Sequence, residues 1–245
     1  MKAYALLGAP EENWPHNIRE IFLEARQAGN LIIGVDRGSL LLNELGMVPD
    51  LAIGDFDSLK KFELAELENS VPDIRYSNPI KDLTDSELMI KVAFEDYQVE
   101  DLTILGATGG RIDHYLVNLL MMLRPSVRKF IEKVTLIDKQ NKIRFYSSGK
   151  HLIKKASEYF YFGIWNLTPV KNLNILRARY ELRNFSSDYQ QVFSSNEFRR
   201  DQSFFELDFE KGIIAVIFSK DIDRFHNVKR IWDWAQILFY FWKNE

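Results

Sequence analysis

The stretch LAIGDFDS at residues 51–58 sets two carboxylates, those of Asp55 and Asp57, directly after a short apolar run. Such a run has the length and composition of a buried β-strand. Comparable runs recur through the first half of the chain, at residues 4–7, 31–35, 74–76, 102–105 and 134–137. Amphipathic stretches at residues 84–97 and 112–123 favour helices between some of these strands. The alternation predicts an α/β fold with a mostly parallel sheet and helices on both faces.

The sequence pattern changes after residue 138. Segments rich in β-branched and aromatic residues then alternate with turn residues, at 142–146, 157–162, 204–209 and 213–218. This pattern is typical of a smaller antiparallel β domain. Residues 228–242 carry apolar side chains at helical spacing, among them three tryptophans. We therefore predict an α/β domain over residues 1–138, a β domain over 139–223 and an extra aromatic helix within 224–245.

Composition narrows the possible classes of protein. The 245 residues have a formal net charge of −3, so no overall basic field favours nucleic acid or an anionic membrane as a partner. No apolar run is long enough for a membrane span, and the apolar N-terminus turns acidic at Glu11 and Glu12, unlike a signal peptide. The chain contains no cysteine, which excludes disulfides and thiolate chemistry and fits a reducing cytoplasm.

The acid pair after the predicted strand at 51–53 is the sharpest chemical signal. In an open parallel sheet, ligands bind beyond the carboxyl ends of the strands. Two neighbouring carboxylates there repel each other unless a cation lies between them, and Mg²⁺ is the usual cation beside phosphates. The alternative is a solvated turn in which Asp57 caps the next helix.

A second cluster, KDLTD at residues 81–85, opens the predicted helix at Thr84. Thr84 and Glu87 have the spacing of a capping box, which explains the cluster as local structure. A helix N-terminus also attracts phosphate, and Lys81 would add to that attraction. Asp85 could complete a metal-binding set with the acid pair.

A third cluster, LGATGGRIDH at residues 105–114, leads from a strand through a glycine-rich turn into a helix. Glycines let backbone N–H groups approach a phosphate closely, and Arg111 offers a two-pronged donor for phosphate oxygens. Asp36 lies at the end of another predicted strand. It could receive a ribose hydroxyl or a metal-bound water, although a lone acid at such a position is often only a helix cap.

These motifs resemble those of the thiamine pyrophosphokinase family, whose members move the terminal pyrophosphoryl group of ATP to the hydroxyl of thiamine and release AMP. The resemblance rests on residues 34–38, 49–58, 81–85 and 106–114. It implies an α/β catalytic domain followed by a β-sandwich that binds thiamine. In the second half, Ser195-Asn196-Glu197 resembles a family segment near thiamine, but the Gly-Ser pair that precedes it in the family is absent here.

The resemblance also implies roles for individual residues. Asp55, Asp57 and Asp85 would be the catalytic carboxylates that hold Mg²⁺. The residues around the co-substrate ATP would be Asp36, Lys81, Thr84, Thr108, Gly109, Arg111 and Asp113. Ser195 and Asn196 would contact thiamine. The family's enzymes are homodimers in which each site is shared between subunits, so the resemblance implies a homodimer here too.

Two other functions remain open at the level of sequence. One is a pyrophosphokinase for another small alcohol, such as a hydroxymethyl pterin, acting at a similar acidic site. The other is a sensor without catalytic activity that binds a nucleotide or thiamine. The sequence also leaves open which carboxylate accepts the proton of the hydroxyl group.

Overall fold

The computed structural model describes residues 1–77 and 83–220. The aromatic helix predicted within residues 224–245 lies outside them. In the described residues of the first half, six parallel strands follow the order β6-β5-β1-β2-β3-β4. They are β1 (Ala3–Leu6), β2 (Leu31–Val35), β3 (Leu51–Gly54), β4 (Asp73–Tyr76), β5 (Leu102–Leu105) and β6 (Val134–Ile137). This confirms the predicted parallel sheet.

Five α-helices accompany this sheet in the described residues, namely α1 (Ile18–Gln27), α2 (Arg37–Glu44), α3 (Lys61–Ser70), α4 (Asp85–Lys91) and α5 (Ile112–Leu120). A π-helical turn over Val92–Asp96 extends α4, and a 3₁₀ turn over Met121–Leu123 extends α5. Both helices predicted from periodicity are therefore present, each with an irregular last turn. Further 3₁₀ turns span Glu11–Asn13 and Arg128–Lys133.

Alternate residues of the strands pack into separate cores on the two faces of the sheet. Ile33 lies in a cluster with Met89 and Ile90 of α4 and Leu119 of α5. Its neighbour Ile32 lies in another cluster, which contains residues of α1 and α2. This period of two places helices on both faces, as predicted.

The order of the strands creates a switch point. The chain proceeds from β1 outward to β4, then returns to add β5 on the other side of β1. Loops that leave the carboxyl ends of β1 and β5 therefore diverge and leave a crevice between them, which is where ligands bind in open α/β sheets.

Within residues 139–220, the chain forms six antiparallel strands. They are β7 (Asn141–Lys154), β8 (Tyr161–Asn166), β9 (Val170–Leu176), β10 (Leu182–Ser187), β11 (Gln191–Glu197) and β12 (Phe204–Ser219). The first part of β12 pairs with β9 and the second part with β8, so the sheet divides into two arms. The arms enclose a core rich in phenylalanine, in which Phe162 and Phe205 stack with ring centroids 4.1 Å apart.

Two strand predictions in this half need correction. The segments at 204–209 and 213–218 belong to one strand, β12, because its register shifts at a bulge instead of ending in a turn. Gly212 has a φ of 118°, which a residue with a side chain rarely adopts. The segment predicted at 157–162 is a strand only from Tyr161 onward.

The sheet runs without a break from one half to the other. β6 pairs with β7 in antiparallel fashion, and Phe145 and Ala215 of the second half share a core cluster with Ile104 of the first. The domain boundary after residue 138 therefore stays a prediction, with a continuous sheet on both sides of it. Within the part of the chain described here, no helix is long and apolar enough to cross a membrane.

Candidate active site

The loops with acids and glycines meet at the carboxyl ends of neighbouring parallel strands. They follow β5, β1, β2 and β3, which are neighbours in the sheet. The helices α2, α4 and α5 each begin within one of the sequence motifs. Helix N-termini carry unsatisfied N–H groups and a partial positive charge, and both favour phosphate.

Asp36 is held tightly between the ends of β2 and β3. Its φ of 48° is unusual for a residue with a side chain, and its N–H donates to the Ile53 carbonyl at 2.8 Å. The Phe56 N–H donates to Asp36 Oδ1 at 3.2 Å. A β-carbon built at Gly54 would overlap the Asp36 carboxylate, so glycine is needed for this approach. The fold thus holds the Asp36 carboxylate close to Asp55, the first residue of the acid pair.

Asp36 has two other carboxylates close to it. Burial raises its pKa to about 7, and the charge of Asp85, a hydrogen bond with Asp85 and the charge of Asp55 add to the effect. The structure therefore brings Asp36, Asp55 and Asp85 together from three different segments. We call these three residues, with Asp57, the carboxylate group.

Asp57 has a different environment from the other members of the carboxylate group. Its side chain is exposed, while its N–H donates to Asp55 Oδ1 at 3.1 Å. Phe56 between them is buried in a cluster with Leu67, which anchors the loop. Asp57 does not lie at the start of α3, which is capped by Lys60, so the capping role considered for it is not seen.

Within residues 1–77 and 83–220, no three acidic or histidine side chains form a group that could hold a metal ion unaided. Mg²⁺ beside a nucleotide usually needs only one or two carboxylates, because phosphate oxygens and water complete its shell. The carboxylate group fits that demand in donor chemistry. Burial and the neighbouring charges of Asp85 and Asp55 raise the pKa of Asp36, and a bound cation would relieve that repulsion.

The first turn of α4 has the predicted capping box. Thr84 Oγ1 accepts the Glu87 N–H, and Glu87 Oε2 accepts the Thr84 N–H, both at 3.3 Å. Glu87 is almost fully buried, and Arg124 Nε donates to its Oε1 at 2.8 Å. Thr84 is therefore a structural cap at the site, while Lys81 lies outside the described residues.

The glycine-rich turn after β5 uses positive φ at Gly106, Gly109 and Gly110. A β-carbon at Gly109 would overlap the Asn13 side chain, so the turn packs closely on the loop after β1. Thr108 is buried, and its hydroxyl donates to Asp138 Oδ2 at 2.8 Å. The hydroxyl is thus used within the protein, which leaves backbone N–H groups as the turn's means of contacting phosphate.

Arg111 and Asp113 form an exposed ion pair at the start of α5. Arg111 Nη2 lies 2.6 Å from Asp113 Oδ2, and its Nε donates to Oδ1 at 3.2 Å. The guanidinium lowers the pKa of Asp113 to about 2. Since exposed pairs contribute little stability, Arg111 can exchange this partner for a phosphate at small cost.

The two residues expected at thiamine differ in availability. Ser195 is exposed, has a φ of 60° and lines a cavity of about 480 Å³ together with Tyr161, Gly163 and Val192. Asn196 is buried, and its amide binds the chain at Tyr180 through the N–H at 3.1 Å and the carbonyl at 2.8 Å. Asn196 therefore shapes this wall, whereas the Ser195 hydroxyl is accessible.

Sequence reasoning missed two polar residues that organise the site. Asp138 accepts hydrogen bonds from the Thr108 hydroxyl and from the N–H groups of Gln140 and Asn141. Asn118, on α5, links the glycine-rich turn to Ser86 of α4. Asn118 is the polar residue within the otherwise apolar run at 116–120 of α5, and that position was the available signal.

Comparison with known proteins agrees with this arrangement. Residues 23–135 match the family model described as the catalytic domain of thiamin pyrophosphokinase, and residues 150–214 match the one described as its vitamin B1 binding domain. A Bacillus subtilis (strain 168) protein named thiamine pyrophosphokinase is 34% identical over 193 residues, which cover 78% of this chain and 88% of that protein.

Solved structures lead to the same family. A thiamin pyrophosphokinase family protein from Enterococcus faecalis has a TM-score of 0.80 and 34% identity, covering 91% of this chain and 100% of its own. A protein from Lactobacillus plantarum has a TM-score of 0.81 and 32% identity, with the same coverage. With both domain models matched in order and a relative aligned over most of its length, the chain belongs to the thiamine pyrophosphokinase family.

Proposed function

We propose that this chain transfers the pyrophosphoryl group of ATP to the hydroxyl group of thiamine, giving thiamine diphosphate and AMP. The observation that carries the proposal is the meeting of Asp36, Asp55 and Asp85 beside the N-termini of α2 and α4, next to the glycine-rich turn. Acids for a metal and N–H groups for phosphates are the two requirements of a metal–nucleotide site.

The protein contributes mainly by positioning the phosphates. The glycine-rich turn and the start of α5 present backbone N–H groups, and Arg111 adds a charged donor that can release Asp113. Lys81 would add a further cation. The ATP site would be lined by Asp36, Thr84, Thr108, Gly109 and Asp113. The hydroxyls of Thr84 and Thr108 form hydrogen bonds within the protein, so these two residues would act by fixing the backbone around the phosphates. Such preorganised donors stabilise charge that shifts between phosphate oxygens during transfer.

Asp55, Asp57 and Asp85 would hold Mg²⁺ together with oxygens of ATP. When bound, Mg²⁺ neutralises negative charge on the phosphates and on the carboxylates. Asp36 stays beside Asp85 and Asp55, and a carboxylate in this position can accept a proton from a hydroxyl group. A member of the carboxylate group is therefore the natural acceptor for the thiamine hydroxyl proton.

We assign thiamine to the cavity lined by Ser195. Its walls combine the aromatic Tyr161 with the apolar Val192 and Ile217, and serine hydroxyls supply polar contacts. A flat heteroaromatic ring suits such a cavity. Because this wall belongs to the second half of the chain, we propose a homodimer in which it faces the partner's carboxylate group. The α/β domain over 1–138 and the thiamine-binding domain over 139–223 then supply the two halves of each site.

Product analysis tests the proposal. The purified protein is incubated with ATP, Mg²⁺ and either thiamine or a hydroxymethyl pterin, and the products are separated by chromatography. We expect AMP and thiamine diphosphate from thiamine, and no product from the pterin. Reaction with the pterin alone would favour the other pyrophosphokinase, while binding of ATP or thiamine without any product would favour a sensor.

A further inference from the structure

The first turn of α4 is fixed to α5 by the residue that follows Asp85. Asp85 contacts Asp36, while the next residue, Ser86, is buried and donates through its Oγ to Asn118 Oδ1 at 3.1 Å. The contact joins the start of α4 to the last turn of α5. A shift of Asn118 would therefore move Ser86, the neighbour of Asp85 in the carboxylate group.

The same side chain also holds the glycine-rich turn. Asn118 Nδ2 donates to the Ala107 carbonyl at 3.1 Å. Ala107 is buried and directly precedes Thr108 and Gly109, the part of the turn that would approach the phosphates. One amide thus connects the acid side of the site with its phosphate side.

This double contact requires a carboxamide of this size. An asparagine side chain has both an acceptor oxygen and a donor nitrogen, whereas aspartate has acceptors alone and leucine has neither. The nearby Glu87–Arg124 pair strengthens the attachment of α4, but its contacts are to the segment after α5 and to Thr84. The carbonyl that anchors the glycine-rich turn is bound by Asn118.

We propose that Asn118 is a positioning residue that fixes the distance between the carboxylate group and the glycine-rich turn, and so sets the affinity for ATP. The inference rests on the proposed function, because it takes the nucleotide to span these two elements. Asn118 acts through Ser86 and Ala107, without touching the reacting atoms itself.

Substitution of Asn118 separates positioning from simple stabilisation. We expect Asn118→Leu to raise the KM for ATP about tenfold, the effect of losing roughly one or two net hydrogen bonds. The KM for thiamine should change less than about twofold, since the cavity lies in the other half of the chain. Asn118→Asp keeps the acceptor for Ser86 but loses the donor to Ala107, so it should also weaken the binding of ATP. Ser86→Ala, which leaves the Ala107 contact intact, should have a smaller effect.

Tyr97→Phe is the matched control. It removes the hydrogen bond from the Tyr97 hydroxyl to Asp73 Oδ2, 2.9 Å long, beyond the far end of the same helical segment. We expect it to lower the melting temperature by a similar amount and to leave both KM values unchanged. If Asn118→Leu does not fold, Asn118→Asp and Ser86→Ala give the same comparison.

Calorimetric titration with ATP and Mg²⁺ in the absence of thiamine provides a readout that needs no turnover. A larger Kd for ATP in the Asn118 variants supports the inference, even if the wild-type protein forms no product. Failure to form product would contradict the proposed function alone. Unchanged ATP affinity and unchanged KM values, with only a lower melting temperature, would show that Asn118 is merely structural and overturn the inference.

Discussion

The carboxyl groups of Asp36 and Asp85 come together where the end of β2 meets the start of α4, close enough for Asp85 to raise the pKa of Asp36. Burial, followed by the charge of Asp85, raises the pKa of Asp36 to about 7. A fold that holds acids together in this way gives up stability in the absence of a cation. We interpret this cost as the basis of metal binding, and it leads to the first prediction.

Without metal, Asp36 should make the stability of the protein depend on pH. The unfolded carboxyl has a pKa near 3.8 and the folded one about 7, so the folded state binds more protons between these values. Stability from this group is therefore present at pH 4 and is lost as the pH rises to 7. In EDTA, the melting temperature of Asp36→Asn should rise relative to that of the wild type across this window, then level off. A difference that does not vary with pH would contradict this account of Asp36.

Asp57 should matter for activity and hardly at all for folding. Its side chain is exposed, and relief of acid repulsion should not destabilise the metal-free protein. We expect Asp57→Asn to lower kcat/KM by about 100-fold or more, the usual scale for losing a charged group that organises the transition state. Asp101→Asn is the control, because Asp101 is an exposed acid at the other end of β5. Full activity of Asp57→Asn at saturating Mg²⁺ would remove it from the metal site.

Gly54 should be coupled to Asp36. Its missing β-carbon makes room for the Asp36 carboxylate, so Gly54→Ala must displace that group. We expect a loss of about 1–3 kcal/mol of stability together with most of the activity. In Asp36→Ala the displaced atoms are absent, and the stability cost of Gly54→Ala should shrink in that background. Equal costs in both backgrounds, measured by denaturant unfolding, would show that the two residues are independent.

The strands and the site motifs of the first half could be predicted from sequence because their physical causes are local. The apolar run at 51–53 is followed at once by its acids, and Thr84 and Glu87 bind within one turn. The same holds for the glycines at 106–110, whose positive φ values belong to a single turn. Local patterns of this kind survive into the fold unchanged.

Features that depend on distant partners could not be predicted in the same way. Asp36 was one acid at the end of one strand, and only the fold brings Asp85 beside it. The break expected near Gly212 is a bulge because β7 continues alongside, with Gly149 opposite Phe209 and Ser147 opposite Ile213. Glu158 belongs to the aromatic segment at 157–162 that the sequence pattern predicts as a strand. In the structure it lies in a turn, where it forms an ion pair with Lys220.

A shared site should allow two defective chains to restore activity together. Asp57→Asn damages the carboxylate group, and Ser195→Asn narrows the cavity while tolerating the positive φ. At a thiamine concentration where each homodimer is nearly inactive, random pairing gives about half mixed dimers, each with one intact site of two. About a quarter of wild-type activity should return.

The two variants are best co-expressed with different tags, so that mixed dimers can be purified. Mixed dimers as inactive as both parents, with each variant folded and dimeric, would mean that every chain builds its site alone. Asn196→Ala would be a poorer choice than Ser195→Asn, because the Asn196 amide holds the backbone at Tyr180.

The central claim, that the carboxylate group and the glycine-rich turn transfer a pyrophosphoryl group, is tested most directly by following both transferred phosphates. ATP labelled in its β- and γ-phosphates is incubated with Mg²⁺, thiamine and the protein, and the labelled products are identified. The account predicts that both labels enter thiamine diphosphate together, that AMP is released unlabelled, and that Asp57→Asn slows the reaction about 100-fold or more. Labelled ADP with thiamine monophosphate, or full transfer by Asp57→Asn, would contradict it.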